Sequence, residues 1–162
     1  MEDQYHFENV WNVVTPELKK DLIEFWKRNN ALPPGENPEE RALQAIFVVR
    51  DAEGRIVSAC TAKKIYVRRF RNYFWFYRTM TDRDCRFKGL ALDLLLKAKN
   101  FLEKLFKEDA DRSSIGIIFN IENREVAERF RQAVLPRTKA VFMGYNSTGQ
   151  QIRVCYFEGA EI

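Results

Sequence analysis

The chain has 162 residues, 46% hydrophobic, 31% charged and 14% aromatic, with 13 Phe among them. This is the balance of a folded globular domain with a bulky core, and no apolar run reaches the length of a membrane span. The formal net charge is +4, a mildly basic balance that suits an anionic ligand without selecting one.

The opening stretch MEDQYHFENV has neither the basic start nor the apolar run of a secretory leader, so none is expected. Cys60, Cys85 and Cys155 are odd in number and widely spaced. They make no metal-ligand pattern and no disulfide framework, and they point to a reducing cytoplasm. No repeat, low-complexity tract or linker divides the chain, so residues 1–162 are expected to form one domain.

His6, the sole histidine, lies in an expected first strand and suits a surface or packing role. A helix then starts at Thr15, a capping residue, with Pro16 and Glu17 in its first turn. Leu18, Leu22, Phe25 and Trp26 fall on one face of it. Pro33-Pro34-Gly35 stops it, inside the loop-like stretch 31–40, and a shorter helix follows Asn37 to about Gln44. AIFVVR and RIVSACTAKKIYV flank the turn DAEG as a hairpin. RNYFWFYRTMT, dense in aromatic and β-favouring residues, reads as a central strand.

The helix after Gly89 places Ala91, Leu94, Leu95, Ala98, Leu102, Leu105 and Phe106 on its apolar side, with Lys97, Lys99, Glu103, Lys104 and Lys107 toward water. SSIGIIFNI is apolar enough for a strand deep in a sheet. NREVAERFRQAVL reads as an amphipathic helix with Val126, Ala127, Phe130 and Val134 inward. KAVFMGY and QIRVCYF close the chain as a hairpin around NSTG. The sum is a mixed α/β layered domain rather than a long βαβ series.

The junction DCRFKGLA, between the aromatic strand and the long helix, carries the clearest chemistry. The first amides of a helix have no partner within it, and the macrodipole makes that end electropositive. Gly89 and the small Ala91 let an anion approach closely, and Arg86 and Lys88 add charge. A phosphate or diphosphate held by main-chain donors fits this junction. A plain polar turn before a helix is the competing reading. The chain has neither of two other phosphate motifs, Gly-x-x-x-x-Gly-Lys-Ser/Thr and Gly-x-Gly-x-x-Gly.

Arg86, Gly89 and Ala91, placed between that strand and helix and followed by FNIEN and another helix, resemble the diphosphate loop of the GNAT superfamily of acyl-CoA-dependent N-acyltransferases. Ala91 stands where the second glycine is more common. The resemblance covers most of the chain and is sharpest over 79–130. It implies an α/β fold with a mixed, mostly antiparallel central sheet flanked by helices, its strands splayed around the cofactor. It implies that Thr79, Met80 and Thr81 meet the pantetheine arm, and that Arg86, Phe87, Lys88, Gly89, Leu90 and Ala91 cradle the diphosphate of acetyl-CoA or another acyl-CoA. Asn123 matches the family's pantetheine-contacting asparagine.

The implied reaction is direct attack of an amine on the acyl thioester, with no metal. The acceptor is a small-molecule or peptidyl amine, no membrane is involved, and a homodimer is left open. Phe130 stands where many members carry a tyrosine that protonates the leaving sulfur. Asp82, Glu122 and Tyr145 are the candidates for acid and base roles, against loop solvation for the carboxylates; Tyr156 is a further tyrosine. An acyl-CoA-binding module without catalysis is the alternative.

One more stretch, KKIYVRRFRNYFWFYR, interleaves basic and aromatic residues. It reads either as a nucleic-acid face or as a hairpin with Lys63, Lys64, Arg68, Arg69 and Arg71 solvated and its aromatics in the core. The second reading is preferred on sequence, and nucleic acid is the lesser alternative. Cys85 beside the loop suits small-residue packing more than reactivity.

Overall fold

The computed structural model describes residues 4–162. Its strands are β1 (His6–Asn9), β2 (Ala45–Arg50), β3 (Ile56–Val67), β4 (Asn72–Thr81), β5 (Gly116–Ile121), β6 (Val141–Tyr145) and β7 (Gln151–Tyr156). Its helices are α1 (Pro16–Arg28), α2 (Pro38–Leu43), α3 (Leu90–Lys107) and α4 (Arg124–Arg129). The strands join one sheet in the order β1-β2-β3-β4-β5-β7-β6, so β4, read as central, is fourth of seven. β1–β2, β2–β3, β5–β7 and β6–β7 are antiparallel, and β4–β5 is parallel. This is the mixed, mostly antiparallel sheet that the resemblance implies, in the mixed α/β domain that the element order predicts.

By density of contacts the chain divides into two compact units, Met1–Ala62 with Thr79–Ala98, and Lys63–Arg78 with Lys99–Ile162. In the first unit, the Thr15 hydroxyl accepts the Leu18 N–H at 3.1 Å, and Pro16 opens α1. Leu18, Leu22, Phe25 and Trp26 are all buried, as their spacing requires. They pack with Val10, Ala42, Ala45, Val48, Ile56 and Ala59. Full burial of each large side chain stabilises by about 1.5–3 kcal/mol. Asn37 caps α2 by accepting from Glu39 and Glu40. The buried Arg41 guanidinium lies 4.4 Å over the Trp26 ring and donates to the Ala31 carbonyl, which ties α2 to α1.

The second unit has its own core of Phe74, Ile115, Ile118 and Val154, joined by Ile65, Phe70, Phe76 and Ile152. β5 runs antiparallel to β7 from Gly116↔Tyr156 to Ile121↔Gln151. Its parallel register with β4 is Trp75↔Ile117 and Phe76↔Ile118.

Two expectations fail here. The helix expected over NREVAERFRQAVL ends at Arg129 and buries none of its residues. Phe130 is 37% exposed and Val134 50% exposed, so neither points inward as the periodicity implied. The reason is tertiary. The buried Arg153 donates to the carbonyls of Phe130, Gln132, Ala133 and Ala140, which satisfies backbone acceptors without a helical ladder. The basic hairpin also departs from expectation. Lys63, Lys64, Arg68, Arg69 and Arg71 are exposed as expected, but so are Tyr66 and Tyr73.

Candidate functional site

The end of β4 is held by hydroxyls. Ser58 Oγ donates to the Met80 carbonyl at 3.0 Å and lies 2.8 Å from the Thr81 hydroxyl. The Thr79 hydroxyl donates to the Ala59 carbonyl at 3.3 Å. Thr81 is buried, Met80 half-buried and Thr79 exposed. The chain then makes one 3₁₀ turn, Arg83–Cys85, before the junction.

At the junction, Arg86, Phe87, Lys88 and Gly89 are exposed and Leu90 is buried. Leu90 therefore anchors the start of α3 through its side chain, and only its backbone is available to a ligand. Ala91, counted on the apolar side of α3 by its spacing, is exposed. Phe87 and Gly89 both take left-handed backbone, at φ 66° and 81°. That conformation is costly for phenylalanine and free for glycine. A Cβ on Gly89 would meet no atom within 4 Å, so the missing side chain leaves open space. The first ladder bond of α3 runs from the Asp93 N–H to the Gly89 carbonyl at 3.0 Å. The amides of Leu90, Ala91 and Leu92 precede it and have no partner in the helix.

Two cations accompany these amides. Arg86 Nε donates to the Thr81 carbonyl at 3.4 Å, so the guanidinium folds back toward the strand end. Lys88 Nζ donates to the Tyr5 hydroxyl at 3.1 Å and lies 5.8 Å from that ring. The bond to Tyr5 raises the Lys88 pKa, with Cys85 and Asp84 adding smaller effects, so Lys88 stays cationic well above neutrality. The Tyr5 hydroxyl also lies 3.8 Å from the half-buried Cys85 sulfur. Tyr5 was not foreseen, because nothing in the local pattern links it to residues 80 positions away.

Asp82 is buried. It accepts from Arg28 Nη2 at 2.9 and 3.1 Å and from Asn29 Nδ2 at 2.6 Å, so its carboxylate is already engaged. These partners were also missed, since nothing in the local pattern links Arg28 and Asn29 to a residue more than 50 positions on. In the second unit, Glu122 is exposed after β5, and Tyr145 is 65% exposed on β6. Asn123 is the cap of α4, its Oδ1 accepting the Val126 N–H at 3.2 Å. Phe130 follows the end of that helix. Among the described residues, no group of His, Cys, Asp and Glu could hold a metal ion. No described helix is long and apolar enough to cross a membrane.

No protein-family model matches the sequence, and no curated protein is similar to it in sequence. Solved structures do match in shape. A ribosomal-protein-S5-alanine acetyltransferase from Vibrio fischeri superposes with TM-score 0.62 at 14% identity, over 98% of this chain and 96% of that one. An acetyltransferase of the GNAT family from Streptococcus pneumoniae gives 0.61 at 12% identity, over 93% and 96%. A spermidine N-acetyltransferase from Vibrio cholerae, in complex with CoA and spermine, gives 0.56 at 14% identity, over 94% of each chain. At these identities the likeness is one of fold, and this chain shares its fold with those acetyltransferases.

Proposed function

We propose that the protein is an N-acyltransferase that binds acetyl-CoA, or another acyl-CoA, and transfers the acyl group to an amine. The observation that carries this reading is the junction at Gly89. An open Cβ position and left-handed glycine backbone stand at the mouth of an 18-residue helix whose first amides lack ladder partners. Helix amides, a close-approach glycine and flanking cations fit a diphosphate. Arg86 to Ala91 would hold that group, and Thr79 to Thr81 the pantetheine arm. The resemblance assigns Asn123 to pantetheine and Phe130 to the sulfur end.

The amine must lose a proton, since a free alkyl amine has a pKa of about 10.4. The oxyanion formed by attack needs a fixed donor, and a backbone N–H suffices. The thiolate leaves with a pKa of about 8.5. Glu122 and Tyr145, both exposed, are the freer candidates for proton transfer, whereas Asp82 would have to give up Arg28 and Asn29. Structural neighbours act on the alanine of a ribosomal protein and on a polyamine. An amine acceptor is the common chemistry, and it extends to this chain only as a class. A cytoplasmic location fits an acyl-CoA user.

Phenylalanine at position 130 supports a second reading, an acyl-CoA binder without turnover, because its ring has no proton to give the sulfur. Calorimetric titration with CoA and acetyl-CoA tests the shared part. Micromolar binding is expected for the wild type, with at least ten-fold loss in a folded Gly89→Glu variant; absence of CoA binding sinks both readings. Thiol release with a panel of amines then separates them. Release no faster than hydrolysis, with CoA binding intact, leaves the binding module.

A further inference from the structure

We propose that the β3–β4 hairpin is a docking face for single-stranded nucleic acid. Residues 63–78 hold six Lys or Arg and no Asp or Glu. Lys63, Lys64, Arg68, Arg69 and Arg71 are all exposed. Among the described residues none of these five forms an ion pair, whereas Arg28, Arg50, Arg55, Lys107 and Arg112 each have a carboxylate within 4 Å. The fold therefore leaves this cluster of charge uncompensated, which suits a polyanion.

The aromatics decide which polyanion. Tyr66 is 53% exposed and Tyr73 46% exposed. Their rings meet edge to face, with centroids 5.1 Å apart and planes at 61°. Lys64 Nζ lies 5.6 Å from the Tyr73 centroid. Exposed tyrosine rings beside cations offer stacking platforms for bases and donors for phosphates. The flank of a duplex and the carboxylates of an acidic peptide present no base face to stack and would use only the charge.

The tip favours nucleic acid over a lipid surface. Phe70, the apolar residue at the tip, is half-buried against the core cluster, its ring centroid 5.8 Å from that of Phe74, rather than free to act as a membrane wedge. The turn is tied by the Phe70 N–H to the Val67 carbonyl at 3.0 Å and the Arg71 N–H to the Arg68 carbonyl at 3.3 Å. Arg68, Arg69 and Arg71 are thus presented on an ordered turn. This face is independent of the acyl-CoA reading and stands or falls without it.

Fluorescence anisotropy with a labelled twelve-nucleotide single-stranded RNA of mixed sequence, titrated into the full chain at several salt concentrations, tests the proposal. The affinity should fall steeply with salt. The Arg68→Gln/Arg69→Gln variant should flatten the log–log slope by roughly 1.4, since each single-strand phosphate contact contributes about 0.7. The Tyr66→Ser/Tyr73→Ser variant should bind about ten-fold more weakly at unchanged slope. If that pair does not fold by circular dichroism, Lys63→Gln/Lys64→Gln tests the charge by the same slope. Absence of RNA binding at low salt overturns the proposal. So do folded tyrosine variants that bind like the wild type, polyglutamate that competes as well as RNA, and phosphatidylserine vesicles that bind where RNA does not.

Discussion

Arg28, the last residue of α1, grips Asp82, the first residue after β4, through Nη2 at 2.9 and 3.1 Å from its two carboxylate oxygens. The same Nη2 donates to the Ile56 carbonyl at 2.8 Å, and Asn29 adds a bond to the Asp82 carboxylate. Asp82 N–H is fixed on the Val57 carbonyl at 2.8 Å. The residue that opens the turn toward Gly89 is therefore held from both its backbone and its side chain.

Asp82→Ala should destabilise the fold by about 1–2 kcal/mol. Charge-assisted hydrogen bonds contribute up to about 3 kcal/mol, discounted because solvent reaches the arginine. Urea denaturation reads the change as a lower midpoint, and an unchanged midpoint would show the clamp to be inert. Asp82→Asn keeps the shape and loses the charge. If thiol release survives in that variant, Asp82 is not the base.

Much of this arrangement was legible because its causes are local. Thr15-Pro16 caps α1, DAEG turns β2 into β3, and Arg86-Phe87-Lys88-Gly89 opens α3, each within a few residues. The failures have distant causes. Phe130 and Val134 keep helical spacing, but Arg153, some 20 residues on, holds their segment's carbonyls. Tyr66 and Tyr73 read as core because composition does not say which face of a strand is covered. Tyr5 and Arg28 reach the site only through the fold.

Gly116 shows how tightly β5 and β7 approach. A Cβ there would lie 2.3 Å from the Cys155 carbonyl oxygen and 3.1 Å from the Tyr156 Cα, both backbone atoms. Neither can swing aside as a side chain could. Gly116→Ala should cost about 3 kcal/mol or more, at the upper end of overpacking penalties. Thermal melting would show it as a drop of several degrees or a failure to fold; a wild-type melting temperature would mean the strands separate freely.

Arg153 is 1% exposed, and its guanidinium meets carbonyls and the Gln151 side chain rather than a carboxylate. Burial lowers its pKa, yet a guanidinium starts so far above neutrality that the group stays charged. Carbonyl dipoles therefore carry the compensation. Arg153→Met should cost about 3–5 kcal/mol, since it strands several buried acceptors. Arg153→Lys keeps the charge but loses the fork, and should recover only part. Trypsin should cut faster after Arg131 and Arg137 in both variants. Cutting at the wild-type rate would show that the segment holds itself.

Cys155 ties stability to alkaline pH. Burial pushes its thiol from 9.0 up to about 11, with Glu103 adding to the rise and Lys99 and Arg153 opposing it. The unfolded chain loses this proton near pH 9 while the folded chain keeps it. The contribution is whole below pH 9 and fades as pH rises toward 11. Each pH unit across that window removes about 1.4 kcal/mol, for a total of about 2–3 kcal/mol. Urea unfolding from pH 8 to 11 should give a falling free energy for the wild type. Cys155→Ala starts from a lower value but should fall less steeply across the same window. Parallel curves would assign the alkaline loss to the lysines and tyrosines instead.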